Sequence, residues 1–310
     1  MSKKVVLLFA GQGAQKVGMG QDLAGAYPKV KAMFDRANEV LGFNLTDTMF
    51  NGPIEELTRT SRCQPALYVH GLAVLEALKE RVPSLEIAAC AGLSLGEFTA
   101  HAAGGTFDFE TGLNLVFQRG SFMEEACEET KGSMAALIGG EESAVRELAA
   151  ECNVDVANLN APGQIVLSGS IEGIKQAVAK AKEKGIRKAV ELTVAGAYHS
   201  RLMKSAQDKL AAVLQTTPVQ MPKVPVISNY EADAVTSEMV IKNTLERQVT
   251  GSVRWSESMQ LLLKDGNDLF LELGPGGVLA GLMGRIQKGT KVLTIEDTAS
   301  LDAAVAELGA

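Results

Sequence analysis

Residues 86–98 read EIAACAGLSLGEF, a short apolar run that enters Gly92-Leu93-Ser94-Leu95-Gly96 and leaves as helical periodicity. A strand ending in Gly-x-Ser-x-Gly before a helix is the nucleophile-elbow pattern. The flanking glycines permit a sharp turn that exposes the serine at a helix N-terminus, where unpaired N–H groups favour developing negative charge. The same five residues also fit a serine cap in a tight turn. The rest of the chain has to decide between the two.

On either side of this unit, β-branched runs alternate with helical spacing. KVVLLFA (4–10) reads as a buried strand, helices are predicted over about 28–41 and 64–80, and another runs from 96. That alternation is α/β. Past Gly132 the units shorten: SMAALIG, a helix over EESAVRELAAEC, VDVANLN, QIVLSGS, a helix over IEGIKQAVAKAKEKG, and KAVELTV. This β-α-β-β-α-β order is the ferredoxin-like pattern. The expected organisation is a hydrolase-like α/β large domain with a parallel sheet core, residues 1–128 and 197–310, and an inserted ferredoxin-like small domain, 129–196. After the insertion the pattern predicts a helix near 200–215, a strand VPVISN (224–229), a helix near 252–264, a strand LFLEL (269–273), a GPGG turn and a final helix from Val278.

At 310 residues and 46% apolar composition the chain can bury a full core. A formal charge of −7 supplies no basic field for nucleic acid or a membrane surface. Cys63, Cys90, Cys127 and Cys152 are widely spaced, with no C-x-x-C pair and no zinc spacing. No apolar run approaches the roughly 20 residues that cross a bilayer. The expectation is a soluble protein of a reducing cytoplasm, without a metal or redox cofactor.

A serine needs a base within hydrogen-bond reach to become a nucleophile. Of the three histidines, His70 and His101 lie in apolar helical stretches and suit structural roles. His199, in VAGAYHSRLM, stands at the junction after the insertion, just before a new helix. With 111 residues after it (310 − 199), it does not fit the late histidine of an ordinary α/β-hydrolase. The segment LFAGQGAQKVGMG fails as a phosphate loop: Lys16 stands where the dinucleotide fingerprint needs Gly, and Met19 and Gly20 stand where a Walker A loop needs Lys and Ser or Thr. What remains is a Gly-rich turn able to aim the Gln12 N–H at an oxyanion. Arg119 interrupts an apolar helical stretch. It reads either as half of a salt bridge with Glu97 or Glu124, or as a fork for a substrate carboxylate. The run Lys180, Lys182, Lys184, Arg187 and Lys188 reads as a solvated helix face or a docking patch for an acidic partner.

Six motifs, GQGAQ (11–15), GLSLGE (92–97), QRG (118–120), NAPGQIVLSG (160–169), YHS (198–200) and LELGPG (271–276), occur in an order that resembles the malonyl-CoA:acyl-carrier-protein transacylase family of bacterial type II fatty acid synthesis. The resemblance covers essentially the whole chain. It implies Ser94 as nucleophile and His199 as general base. Arg119 would hold the malonyl carboxylate, and the Gln12 and Leu95 N–H groups would form the oxyanion hole. Gln248 would supply a main-chain carbonyl that orients the histidine in place of a triad acid. It implies malonyl-CoA and holo-acyl carrier protein as partners, the carrier's phosphopantetheine thiol as acceptor, no permanently bound cofactor, and a monomer. Two positions depart from the family pattern: Leu93 stands where His precedes the serine, and Tyr198 where Phe is usual. The residues also admit a serine esterase or thioesterase, an acyltransferase for another extender unit, and a non-catalytic carrier-binding module.

Overall fold

The computed structural model describes residues 4–309. Among them the strands are β1 (Lys4–Phe9), β2 (Glu86–Gly92), β3 (Gly132–Ile138), β4 (Asp155–Ala161), β5 (Gln164–Ser170), β6 (Lys188–Glu191), β7 (Leu269–Leu273) and β8 (Lys291–Ile295). They form two sheets. The first, in order β2-β1-β7-β8, is wholly parallel. Its central strands VVLLF and LFLEL are buried throughout, the continuous apolar run that a sheet covered on both faces requires.

The second sheet, in order β4-β5-β3-β6, is antiparallel and carries the helices Glu142–Glu151 and Ile171–Lys180. Side chains alternate across it with period 2. Ala135, Leu137, Ile165 and Leu167 pack into a small core with Val145, Leu148 and Ile174 from the helices. Met134 and Val166, one register on, face the other way and join the main core. That second face is the wall turned toward the parallel sheet. Val253 links the second sheet to the first: its N–H donates to the Ala157 carbonyl of β4 at 2.8 Å and its carbonyl accepts from Leu159 at 2.9 Å, while its side chain joins the apolar cluster of Val6 and Leu8 from β1.

Three expectations need correction. VPVISN is not a full strand: Val226 makes one parallel bridge to Cys90 and Ile227 one antiparallel bridge to Ala234. Pro225 has no N–H to donate, so it offers only its carbonyl, to Cys90 N at 2.8 Å. The helix from Val278 is not the last element, because it ends at Ile286 and β8 and the helix Thr298–Leu308 follow. The predicted helix near 252 begins at Trp255, since Val253 is engaged in bridging β4. The helix Glu238–Arg247 was not anticipated.

Among the described residues no helix is long and apolar enough to cross a membrane. Cys63, Cys90, Cys127 and Cys152 are buried free thiols.

Candidate active site

β1 and β2 lie side by side, and the two turns that leave their C-terminal ends meet there. A Cβ at Gly11 would sit 2.5 Å from the Leu93 carbonyl oxygen. At Gly92 it would meet the Gly96 carbonyl at 2.0 Å, and at Gly96 the Phe9 carbonyl oxygen at 2.1 Å. The glycines on either side of Ser94 are therefore a packing requirement. Gly92→Ala should cost about 3 kcal/mol or more in chemical denaturation, because backbone rather than a flexible side chain would have to move. An unchanged denaturation midpoint would contradict this.

Ser94 caps the helix Leu95–Gly104 at φ 56°, ψ −106°, a strained conformation for a residue with a side chain. Asn229 holds it there. Its Oδ1 accepts from Ser94 N at 2.7 Å, and its Nδ2 donates to the Gly92 carbonyl at 2.8 Å. The result is a half-buried hydroxyl on a clamped turn, opening onto the cleft.

His199, also at positive φ, places Nε2 2.7 Å from Ser94 Oγ and Nδ1 2.8 Å from the Gln248 carbonyl. A carbonyl can only accept, so Nδ1 carries the ring proton and Nε2 is left to accept from the serine hydroxyl. Burial, with the Arg119 cation nearby, lowers His199 to about 4, so the ring is neutral at pH 7. The other two histidines have structural partners. His70 Nε2 lies 3.0 Å from the Glu296 carbonyl and His101 Nδ1 2.9 Å from Thr106 Oγ1.

Arg119, on the helix Phe109–Thr130, is 1% exposed. It donates to Gln64 Oε1 at 2.7 Å, to Gln248 Oε1 at 2.8 Å and to Ser94 Oγ at 3.1 Å. All three acceptors are neutral. The salt bridge that sequence allowed with Glu124 is not formed, because Glu124 pairs with Arg59 at 2.8 Å and accepts from Ser61 N. Glu97 does not pair with Arg119 directly either: its Oε2 accepts from Gln248 Nε2 at 2.6 Å, which puts one amide between the two charges. Burial pulls the Arg119 guanidinium down to about 10, still a cation at pH 7.

Ser94, His199, Arg119 and Gln248 are thus one hydrogen-bonded group, and Gln12 and Leu95 line the same cleft of about 500 Å³. Leu95 N is the first helical N–H, a position without an intrahelical acceptor. The cleft's other wall comes from the antiparallel sheet, with Met134, Asn158, Val166 and Leu192. Leu93 lines it too, and the Tyr198 hydroxyl lies 2.6 Å from Thr60 Oγ1. Among the described residues no group of three or more His, Cys, Asp or Glu could hold a metal ion.

Sequence reasoning missed Gln64, Asn229 and the side chain of Gln248. Each is an uncharged polar residue whose side chain carries no motif of its own, and only the fold brings them to the elbow. The polar ending of VPVISN was the sole local sign of Asn229.

The acyl transferase domain family matches residues 6–302. A malonyl CoA-acyl carrier protein transacylase of Bacillus subtilis is 40% identical over 310 residues, spanning 98% of this chain and 97% of the relative. The crystal structure of an acyl carrier protein S-malonyltransferase from Vibrio cholerae matches with a TM-score of 0.94 at 38% identity, over 97% of this chain and 100% of that one. A complex described as a type II PKS acyl-carrier protein with its malonyl-transacylase matches at 0.93 and 36% identity, over 98% and 100% of the two chains. Matched nearly end to end by these acyltransferases, the chain belongs to the malonyl-CoA:acyl-carrier-protein transacylase family.

Proposed function

We propose that this enzyme moves the malonyl group from malonyl-CoA to the phosphopantetheine thiol of holo-acyl carrier protein through a malonyl ester on Ser94. The observation that carries this reading is the Arg119 cation, buried 3.1 Å from Ser94 Oγ with no carboxylate of the protein in contact. A buried guanidinium bonded only to neutral oxygens suits an acyl group that brings its own carboxylate.

In the first half-reaction Ser94 Oγ attacks the thioester carbonyl and its proton passes to His199 Nε2. The Gln12 and Leu95 N–H groups receive the oxyanion, a hole worth about two to three powers of ten in rate per donor. As the carbon–sulfur bond breaks, the His199 proton goes to the departing CoA sulfur. In the second half the carrier thiol gives its proton to His199 and attacks the ester, which returns the proton to Ser94. Two half-reactions sharing one acyl-enzyme give ping-pong kinetics. The apolar wall of Met134, Val166 and Leu192 keeps water a poorer acceptor than the thiol.

Intact-protein mass spectrometry after mixing with malonyl-CoA tests the proposal. The transferase reading expects a malonyl adduct that persists until carrier is added. A serine esterase would instead release free malonate without any carrier, and a carrier-binding module would show no adduct.

The carrier, an acidic protein, needs a local basic surface on a chain of net charge −7. In the 180–188 run, Lys180 and Lys184 are both engaged by Glu151, at 2.7 and 3.0 Å. Among the described ion pairs, Lys182, Arg187 and Lys188 have no acidic partner, so the free charge lies toward β6. Reversing Lys182 and Lys188 to Glu should slow transfer to the carrier about tenfold and leave loading from malonyl-CoA intact. If neither half-reaction changes, the run is only a solvated face.

A further inference from the structure

Glu97 lies three residues after the serine, is 0% exposed and touches neither the acyl path nor the proton path. Its Oε2 accepts from Asn229 N at 3.0 Å and from Gln248 Nε2 at 2.6 Å, while Oε1 has no hydrogen-bond partner. Both neighbours of Oε2 are donors, so the site asks for an acceptor. The Gln248 amide is fixed in one orientation, with its nitrogen on the carboxylate and its oxygen accepting from Arg119. A direct Glu97–Arg119 pair would fill the guanidinium fork. With an amide between them, the two charges sense each other while Arg119 contacts only neutral oxygens.

We propose that Glu97 is the resident counter-charge of Arg119, held one amide away so that the guanidinium is balanced in the free enzyme yet keeps its fork clear of any carboxylate of the protein. This rests on the malonyl-transfer reading, and it adds a positioning residue whose charge sets how strongly an incoming carboxylate is held. A buried anion beside the clamp weakens the grip on malonyl, which allows the ester to be handed on to the carrier.

The effect is specific to an acyl group that carries a carboxylate, so the readout is the KM for malonyl-CoA relative to that for acetyl-CoA. At pH 8, Glu97→Gln should lower that ratio about tenfold, and the same substitution in an Arg119→Ala background should leave it unchanged. A role confined to folding would move both KM values alike. Wild-type enzyme supplies a measurement that needs no variant. Burial lifts the Glu97 carboxyl to about 7, and of the groups around it, Asn229, Ser228, Gln248 and Arg119, only Arg119 is charged. The ratio should therefore fall between pH 8 and pH 6 as the carboxylate takes a proton. CoA phosphates titrate equally in both substrates and cancel. A ratio that is flat with pH, or one that rises in Glu97→Gln, overturns the counter-charge. Wild-type enzyme that acquires no malonyl adduct at all would instead remove the function on which it rests.

Discussion

Ser94→Ala leaves no malonyl mass increase after mixing with malonyl-CoA and lowers transfer to the carrier by at least about four powers of ten. His199→Ala falls by a comparable factor, because the two side chains act as one unit and losing either removes the attack. The geometry supports both expectations. Ser94 Oγ has its base at 2.7 Å, and the Gln248 carbonyl fixes the base's tautomer without a third acid. The pH dependence follows from the same environment. A general base must be unprotonated, and burial lowers His199 from the usual 6.5 to about 4. The acid limb of kcat/KM for loading should therefore lie near pH 4 to 5 and not near 6.5. Stopped-flow loading between pH 4 and pH 8 measures it. A limb at 6.5 would mean that the imidazole is solvated in the working enzyme. A Ser94→Ala protein that still acquires the adduct would place the acyl group on another nucleophile.

The elbow was legible because its requirements are local: apolar strand, glycines at 92 and 96, helix. The small sheet was legible for the same reason, since its β-α-β-β-α-β order is written in short, well-punctuated runs. VPVISN reads as a strand because its first four residues are apolar, but its pairing with β2 is limited to the single bridge of Val226 to Cys90, and that extent is a tertiary fact the hexapeptide does not carry. β8 was passed over although KVLTI is apolar and β-branched, because the GPGG turn and the helix after it read as an ending. Arg119 shows the limit at the site. Sequence could name Glu97 and Glu124 as salt-bridge partners, but not that Arg59 occupies Glu124 or that the Gln248 amide separates Glu97 from the guanidinium. Those facts are relations among four segments distant in sequence, around Arg59, Glu97, the Arg119–Glu124 helix and Gln248. Gln248 is the sharpest case: the resemblance implied its carbonyl for His199, whereas its side chain also joins Arg119 to Glu97.

Arg119→Ala lowers malonyl loading by about two to three powers of ten and leaves acetyl loading within a few-fold of wild type. The malonyl carboxylate loses a charge-assisted, two-pronged contact in a water-poor cleft, where leaving a buried carboxylate unpaired costs several kcal/mol. Acetyl has no such group to lose. A second effect runs the other way for acetyl. The Arg119 charge helps hold His199 low, so removing it makes the imidazole a stronger base for any thioester. On the proposed reading, a malonyl carboxylate bound to Arg119 in the unmodified enzyme would do the same by neutralising the guanidinium, so the substrate would improve its own base on arrival. Acetyl cannot do this. The two contributions should give wild-type enzyme a malonyl preference that collapses in the variant. Measuring both half-reactions by single-turnover loading separates them: equal losses for malonyl and acetyl would mean that Arg119 supports the Ser94 hydroxyl alone and holds no carboxylate.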